Sequence, residues 1–419
     1  MTKQQTPSFN RAVVIGGGFA GLITARVLID YFDQVSVIER DELPAKPALR
    51  RGLPQAHHAH LLLPEGWNLM EQWFPAITAE LEAQGATLID SEREMRRSSD
   101  GALFDDVTAL ACSRPLLDHT LYRRLADSPR ITVVSGYEVA RLAVDSRGRR
   151  VTGVHVRPPR GTGRRTTILP AEVVVDTSGR GSRAPQWLAD LGYTPPAETT
   201  VDALAGYASR LYRRPADFDG SWKTMRVPRR QPDQPASGII MPLEDERWHV
   251  TLTGISGSYP PGDPAGFLAY AQGLACPSFF EILQAAEPLS EVHTFRGTQN
   301  RLLHYDQLPR YLEGFLVSGD AVCAGNPIYT MGMTAATRSA PALAGALAET
   351  RQRGQLEGLA QSFQKQLRRE INKIWLKITR SDRLWPGSEV VETGQPAKVR
   401  LNRPRSRTVI LADYGLAAS

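Results

Sequence analysis

Residues Arg11 to Arg40, RAVVIGGGFAGLITARVLIDYFDQVSVIER, constrain the fold more than any other stretch. The apolar run Ala12 to Ile15 reads as a strand, and Gly16, Gly18 and Gly21 follow it at G-x-G-x-x-G spacing. Leu22, Ala25, Leu28 and Ile29 then recur at helical spacing, and a second strand pattern, Val35 to Ile38, ends in Glu39. Each residue has a physical task in such a unit. Gly16 permits the tight turn, Gly18 lets a pyrophosphate approach the backbone, and Gly21 lets helix and strand pack closely. The helix start offers free N–H groups to phosphate. Glu39 can accept the hydroxyls of an adenosine ribose and would repel a 2'-phosphate there. The expectation is a Rossmann-like α/β domain holding a dinucleotide that lacks that phosphate.

The 419 residues suffice for two or three domain-sized cores. There is no run of eighteen apolar residues, so no membrane-spanning helix is expected. The start MTKQQTPSFN is polar and carries no apolar signal core. Cys112, Cys276 and Cys323 are widely spaced and odd in number, which points to a reducing compartment, to a cytoplasmic location, and away from a metal site. The formal charge is +6. Its basic clusters, Arg147 to Arg150 and Arg160 to Arg165, flank turns without interleaved aromatic residues. They read as solvated faces, and no nucleic-acid partner is expected.

Past the opening unit, Asp41 to Arg51 is a loop interrupted by Pro44 and Pro47. GLPQAHHAH, Gly52 to His60, leads into two helical stretches, Leu61 to Met70 and Glu71 to Gln84. His57, His58 and His60 have no fourth ligand at a metal-binding interval. They belong either to a loop beside the cofactor or to plain helix-start packing. Thr87 to Phe104 reads as a hairpin with its turn at Ser99-Asp100-Gly101. Arg114 precedes a helix that Pro115 can open. Ile131 to Val134 is a strand, Tyr137 to Val144 and Val151 to Arg157 form a hairpin, and Ile168 to Val175 is a buried strand running into Asp176-Thr-Ser-Gly-Arg-Gly-Ser182.

From Gly192 the helix–strand alternation stops. Val201 to Tyr212, Trp222 to Val227, Gly238 to Pro242 and Arg247 to Ser256 read as a mainly antiparallel sheet, followed by helices at Pro264 to Leu274 and Pro277 to Ala286. Tyr207, Trp222, Met225 and Met241 are either sheet core or the wall of a substrate cavity. The expected division is therefore a cofactor domain over residues 10–191, a substrate domain over 192–305, a return of the chain to the cofactor domain over 306–350, a helical region over 351–385 and a peripheral tail over 386–419. In the return segment the strand Phe315 to Ser318 ends in Gly319-Asp320, and Pro327 shapes a loop into a long helix starting near Gly332. Asp320 can hydrogen-bond a ribityl hydroxyl. The positive end of that helix would stabilise negative charge on an electron-rich ring, which favours FAD over NAD.

With these residues in view, the chain resembles the FAD-dependent monooxygenases of the para-hydroxybenzoate hydroxylase-like superfamily. The likeness rests on GGGFAG (Gly16 to Gly21), Glu39-Arg40, Arg114 and GDAVCAGNPIYTMGM (Gly319 to Met333). Within it, GLPQAHHAHLLL (Gly52 to Leu63), SRPLLD (Ser113 to Asp118) and VVDTSGRGSRAPQWLADLGY (Val174 to Tyr193) look most like the polyene epoxidases of polyether biosynthesis. The resemblance implies a glutathione-reductase-type FAD-binding domain with a mainly antiparallel substrate sheet and C-terminal helices. It implies that Gly16, Gly18 and Gly21 hold the pyrophosphate, Glu39 with Arg40 the adenosine end, and Arg114 another part of the cofactor. Asp320 would hold the pyrophosphate-ribityl region, Pro327 in the loop before the long helix counts among the cofactor-binding residues, and Gly332 and Met333 would border the isoalloxazine. Thr330-Met331 replaces a pair that relatives often have as Gly-Gln. Thr330, Met331, His58 and His60 are thus the candidates for reactive positions near the flavin.

The activity so implied is oxygen transfer from a flavin C4a-hydroperoxide to an alkene or aromatic carbon of a large apolar biosynthetic intermediate, such as arises in antibiotic pathways, with epoxidation ahead of hydroxylation. NADPH or NADH would come from outside, directly or through a separate flavin reductase, because no second G-x-G-x-x-G unit is present. Three other readings remain: a flavin-dependent halogenase, a reductase or dehydrogenase of an isoprenoid or polyketide substrate, and a non-catalytic FAD-binding protein. Trp222 to Pro228, WKTMRVP, matches the halogenase W-x-W-x-I-P segment poorly.

Overall fold

The computed structural model describes residues 9–90, 94–97, 108–158 and 166–394. Its central sheet has five parallel strands, in the order Phe315–Val317, Val173–Asp176, Phe9–Ile15, Phe32–Glu39 and Ile131–Ser135. Strands covered on both faces need continuous apolar runs. Val13-Val14-Ile15 and Val173-Val174-Val175 supply them, and all six side chains are buried. Ile15 lies level with Ile38 on one side and with Asp176 on the other, and Asp176 with Val317. The segments that begin at Gly16, Glu39, Thr177 and Ser318 therefore leave the sheet from one edge. That edge is a switch point, where chain connections diverge to either side of the first strand.

The helix Phe19–Leu28 packs against Gly332–Arg353, which also meets Pro64–Trp73 and Leu359–Asp382. Ala335, Ala336 and Ala340 are buried in these contacts, so small side chains bring the helix axes close together. A second sheet runs in the order His293–Phe295, Gly206–Arg213, Arg247–Gly254, Ala236–Leu243, Thr224–Val227 and Met95–Arg97. All its pairs are antiparallel except the last. Period-two alternation sorts its residues onto two faces. Met225, Trp248, Val250 and Leu252 form a second core with Trp222, Phe267 and Phe279 under the helices Pro264–Gln272 and Pro277–Ala285. Ser209, Thr251 and Met241 occupy the opposite face, toward the segment 57–61 of the first domain. The architecture is thus the expected one: a Rossmann-like α/β domain, a mainly antiparallel second sheet, and C-terminal helices.

Several local readings change. Within the stretch expected to form a hairpin, only Thr87–Ile89 and Met95–Arg97 are strands among the described residues, and they join different sheets. Thr87–Ile89 joins Ala109–Ala111, while Met95–Arg97 adds in parallel to Thr224–Val227; the turn expected at residues 99–101 lies outside the described residues. The second sheet therefore borrows a strand from before residue 192. The run Val201 to Tyr212 splits at Leu204, whose φ is +52°, into Glu198–Asp202 and Gly206–Arg213, which belong to different sheets. Ile168 to Val175 likewise divides into the hairpin strand Thr167–Pro170 and the central strand Val173–Asp176. Leu61–Leu62 is a short strand ahead of the helices Pro64–Trp73 and Ile77–Ala83. Glu389–Thr393 in the tail pairs with Glu198–Asp202, and residues 395–419 lie outside the described part.

The glycine turn provides the sharpest test of this packing. A Cβ on Gly21 would lie 1.8 Å from the Gly16 carbonyl oxygen and 2.9 Å from Thr177 Oγ1, whereas a Cβ on Gly18 meets nothing within 4 Å. Gly21→Ala is expected to lose about 2 kcal/mol or more by overpacking. Gly18→Ala should stay close to wild type, as a shift of urea midpoint at constant slope would report.

Candidate cofactor and active site

Gly16 adopts φ +99°, which glycine tolerates without strain. Thr177, in the turn after the neighbouring strand, clamps that turn: its hydroxyl donates toward the carbonyls of Ile15 (2.8 Å) and Gly16 (3.1 Å). Asp176 in turn shapes its own turn by accepting from the Ser178 N–H (2.9 Å) and the Ser182 hydroxyl (2.6 Å). Gly319 sits at φ +63° so close to the start of the first helix that a Cβ would come within 2.8 Å of Ala20 Cβ. The Gly319-Asp320 pair is thereby set beside the glycine-rich turn, although some three hundred residues separate them in sequence.

Glu39 is buried at its strand end and accepts from the Gly17 N–H (2.7 Å) and the Asp41 N–H (3.0 Å). Arg40 is exposed and turned toward the Gly52 carbonyl (3.3 Å). Arg114 is buried, paired with Asp118 and placed 5.8 Å from the centre of the Phe19 ring. Burial raises the Asp320 carboxyl above its ordinary range, while Arg180, Arg114, Arg301 and a hydrogen bond from the Gln55 side chain oppose that rise. Arg180 ties the site's floor together by donating to the carbonyls of Gln299 (2.9 Å) and Gly325 (2.8 Å); its Nε is enclosed without a partner.

The turn ahead of Gly332–Arg353 is held from below. Asp382, fully buried at the end of the last long helix, accepts from Asn300 (2.5 Å), Asn326 (3.1 Å) and the Tyr329 hydroxyl (2.6 Å). Thr330 follows at φ +55°, a conformation costly for a β-branched residue, and its Oγ1 is buried without a partner. The helix start has no side-chain cap, and a Cβ on Gly332 would meet nothing within 4 Å. The open faces at Gly18 and Gly332, the uncapped N–H groups and the enclosed, unpartnered Arg180 Nε fit an anionic dinucleotide carrying a polarisable ring. Pro327 lies on this turn, as does Met331, while the Met333 side chain belongs to the main core.

The histidines bridge the two sheets. His58 is buried, shares a 2.9 Å hydrogen bond with Ser209 Oγ and meets the Tyr207 ring edge-on at 4.4 Å. His60 Nδ1 lies 2.7 Å from the His58 carbonyl, and His249 Nε2 lies 3.0 Å from that of His57. Burial pushes His58 down to about 3, His249 down to about 4 and His60 well below its ordinary value. Among the described residues no group of three or more His, Cys, Asp or Glu side chains could hold a metal. Tyr207 and Met241 lie on the face turned toward these histidines, but Trp222 and Met225 do not; they are sheet core beneath the outer helices. Sequence reasoning missed Thr177, Arg180 and Asp382. The first two stand in the Gly/Ser turn after a central strand, a signal that could have found them; Asp382 had none.

A family profile described as an FAD binding domain matches residues 70–207, a span that contains Arg114 and the strand Val173–Asp176. Protein Rv3254 of Mycobacterium tuberculosis is 33% identical over 338 residues, covering 78% of this chain and 70% of that protein. The fold is that of the flavin-dependent halogenase CmlS (TM-score 0.61, 20% identity, 87% of this chain and 62% of the halogenase). It is equally that of the p-nitrophenol 4-monooxygenase PnpA from Pseudomonas putida DLL-E4 (TM-score 0.62, 16% identity, 90% and 89%). This chain thus spans under two thirds of the halogenase's length. The class is that of proteins with the FAD-binding fold shared by flavin-dependent halogenases and monooxygenases. Within that class, the chain belongs to the family of the mycobacterial protein Rv3254. No helix among the described residues is long and apolar enough to cross a membrane.

Gly18→Glu is expected to abolish FAD uptake, because the side chain fills the open face and sets a carboxylate beside phosphate. Asp320→Ala should weaken binding by about 1–3 kcal/mol, read by titration of the flavin-free chain with FAD. The buried histidines also set a pH dependence. Their folded-state values lie below the unfolded value of 6.5, so the unfolded chain binds more protons in between, and stability present above that value is lost as pH falls toward 4. Melting temperature should fall over that window, and less steeply in His58→Gln.

Proposed function

We propose that the protein is an FAD-dependent monooxygenase that places one oxygen atom of O2 on an alkene or aromatic carbon of a large, mostly apolar biosynthetic intermediate. The observation that carries this reading is convergence. The glycine turn and Gly319-Asp320 leave one edge of the parallel sheet, the uncapped helix Gly332–Arg353 packs on both the first helix and the Gly319–Ala321 turn, and His58 ties the first domain to the inner face of the second sheet. FAD, when bound, supplies the oxygen-activating chemistry. The glycine turn, Asp320 and the helix start at Gly332 would hold the cofactor, the uncapped helix N–H groups would stabilise negative charge on it, and the surrounding side chains would keep water out. The inner sheet face mixes Ile239 and Met241 with Ser209, Thr251 and Thr253, which suits an apolar skeleton bearing a few oxygen substituents.

Halogenation is disfavoured by the lysines. Lys223 is committed to Glu94 (2.8 Å) and to the Leu88 carbonyl (3.0 Å), Lys46 is exposed, and the sequence has none between them. Epoxidation leads on the likeness of the segments 52–63, 113–118 and 174–193 to polyene epoxidases. Aromatic hydroxylation is the second reading, and one observation weighs against it: burial lowers the proton affinity of His58 and His249, so neither is a ready base for a substrate phenol. Reducing equivalents come from NADPH or NADH, directly or through a separate flavin reductase.

The test supplies FAD, a reductant, labelled dioxygen and candidate polyenes or polycyclic aromatics. One labelled oxygen in the product is the expected result, and an intact epoxide separates the two forms of the reaction. Equal turnover without oxygen, with hydrogen gained or lost by the substrate, would overturn the reading in favour of a reductase.

A further inference from the structure

Four charged side chains form a chain beside the glycine-rich turn. Arg50 Nη1 lies 3.4 Å from Glu39 Oε2, and Arg50 Nη2 lies 3.4 Å from both Asp118 Oδ2 and the Gly17 carbonyl oxygen. Arg114 Nε and Nη2 grip the same Asp118 carboxylate at 3.2 and 3.1 Å. The side chains of all four are at most 10% exposed. Asp118 stands one turn along the helix Arg114–Ala126 from Arg114, so helical geometry places the two on one face. Among the described residues, Asp118 is the carboxylate that joins both guanidinium groups. Gly17, whose two backbone polar groups are engaged by Glu39 and Arg50, immediately precedes the open face of Gly18.

We infer that Asp118 is a positioning residue for dinucleotide binding: it does not touch the cofactor but holds Arg50 and Arg114 together where a pyrophosphate meets the glycine turn. This rests on the FAD reading above. Two buried guanidinium groups at such range repel each other unless a shared anion bridges them, and a guanidinium donates to phosphate well only when its fork is fixed. The role has an unusual sign. As a mere charge near the phosphates, Asp118 would oppose FAD, and removing that charge would tighten binding. As the clamp of both arginines, it strengthens binding, and removing it weakens binding.

The experiment is titration of the full-length flavin-free chain with FAD, followed by quenching of flavin fluorescence, for wild type, Asp118→Asn, Arg50→Met with Arg114→Met, and the triple variant. Saturable binding to wild type is the first requirement, and its failure would sink the FAD reading itself. Given that binding, Asp118→Asn is expected to raise the dissociation constant at least tenfold, with no further loss when it is added to the arginine double variant. Unchanged or tighter binding by Asp118→Asn overturns the proposal. So does a full additive loss in the arginine-free background, which would assign Asp118 to the fold. Should Asp118→Asn not fold, Asp118→Glu decides: it keeps the charge but moves it by one methylene. A loss of threefold or more supports the clamp, and wild-type affinity overturns it.

Discussion

The approach of the first helix to the first turn is the contact on which the rest of this structure depends. At Gly21 the helix passes so near the Gly16 carbonyl and the Thr177 hydroxyl that there is no room for a methyl group. Thr177 bonds the carbonyls of Ile15 and Gly16 from the adjacent strand's turn, so helix, turn and two strands are locked at one point. Gly319 then uses the same closeness from the other side, against Ala20. Strand order, register and glycine placement thus have a single outcome, a rigid edge from which every polar segment of the site departs. Such sites depend on rigid elements because a small displacement of a donor forfeits most of its effect.

Around that edge the structure buries charge in compensated sets. Glu39, Arg50, Asp118 and Arg114 form one, and Asp382 with its three donors another. A buried charge without such partners would cost several kcal/mol. Each set ties together segments distant in the chain. Asp382 joins the end of the last helix to the strand Asn300–Leu303 and to the turn that carries Tyr329 and the strained Thr330. The C-terminal helix is therefore part of the site's support, although it contributes no residue to the cofactor motifs.

The two sheets communicate through segment 57–61. Its histidines are neutral because apolar and cationic surroundings disfavour a further charge, and they spend their hydrogen bonds on Ser209 and on backbone carbonyls. Met241 packs there with Ile89 and Ala111 of the first domain. The interface consequently mixes a small apolar contact with directed polar ones, an arrangement that fixes relative orientation at little cost in buried apolar area. On the far face of the second sheet, stacked Trp222 and Trp248 anchor the two helices instead. That burial turns them away from the first domain.

Local chemistry made much of this legible. The glycine spacing, the apolar strand before it, Glu39 at the next strand's end and the strand leading to Gly319-Asp320 determine the parallel sheet and its dinucleotide edge, because each expresses a backbone requirement that only a few residue types satisfy. The hairpin turn at residues 146–148 and the long helix from Gly332 are of the same kind. What tertiary structure alone decided is pairing across distance. Whether Met95–Arg97 joins its neighbour or Thr224–Val227, whether Trp222 faces the cavity or the outer helices, and which carboxylate serves Arg50 all depend on register between segments distant in sequence. Alternation in a strand says that two faces differ but not which one meets the other domain. A lone aspartate at the end of a helix carries no pattern of its own. Asp382 acquires its role only when Asn300, Asn326 and Tyr329 are folded onto it.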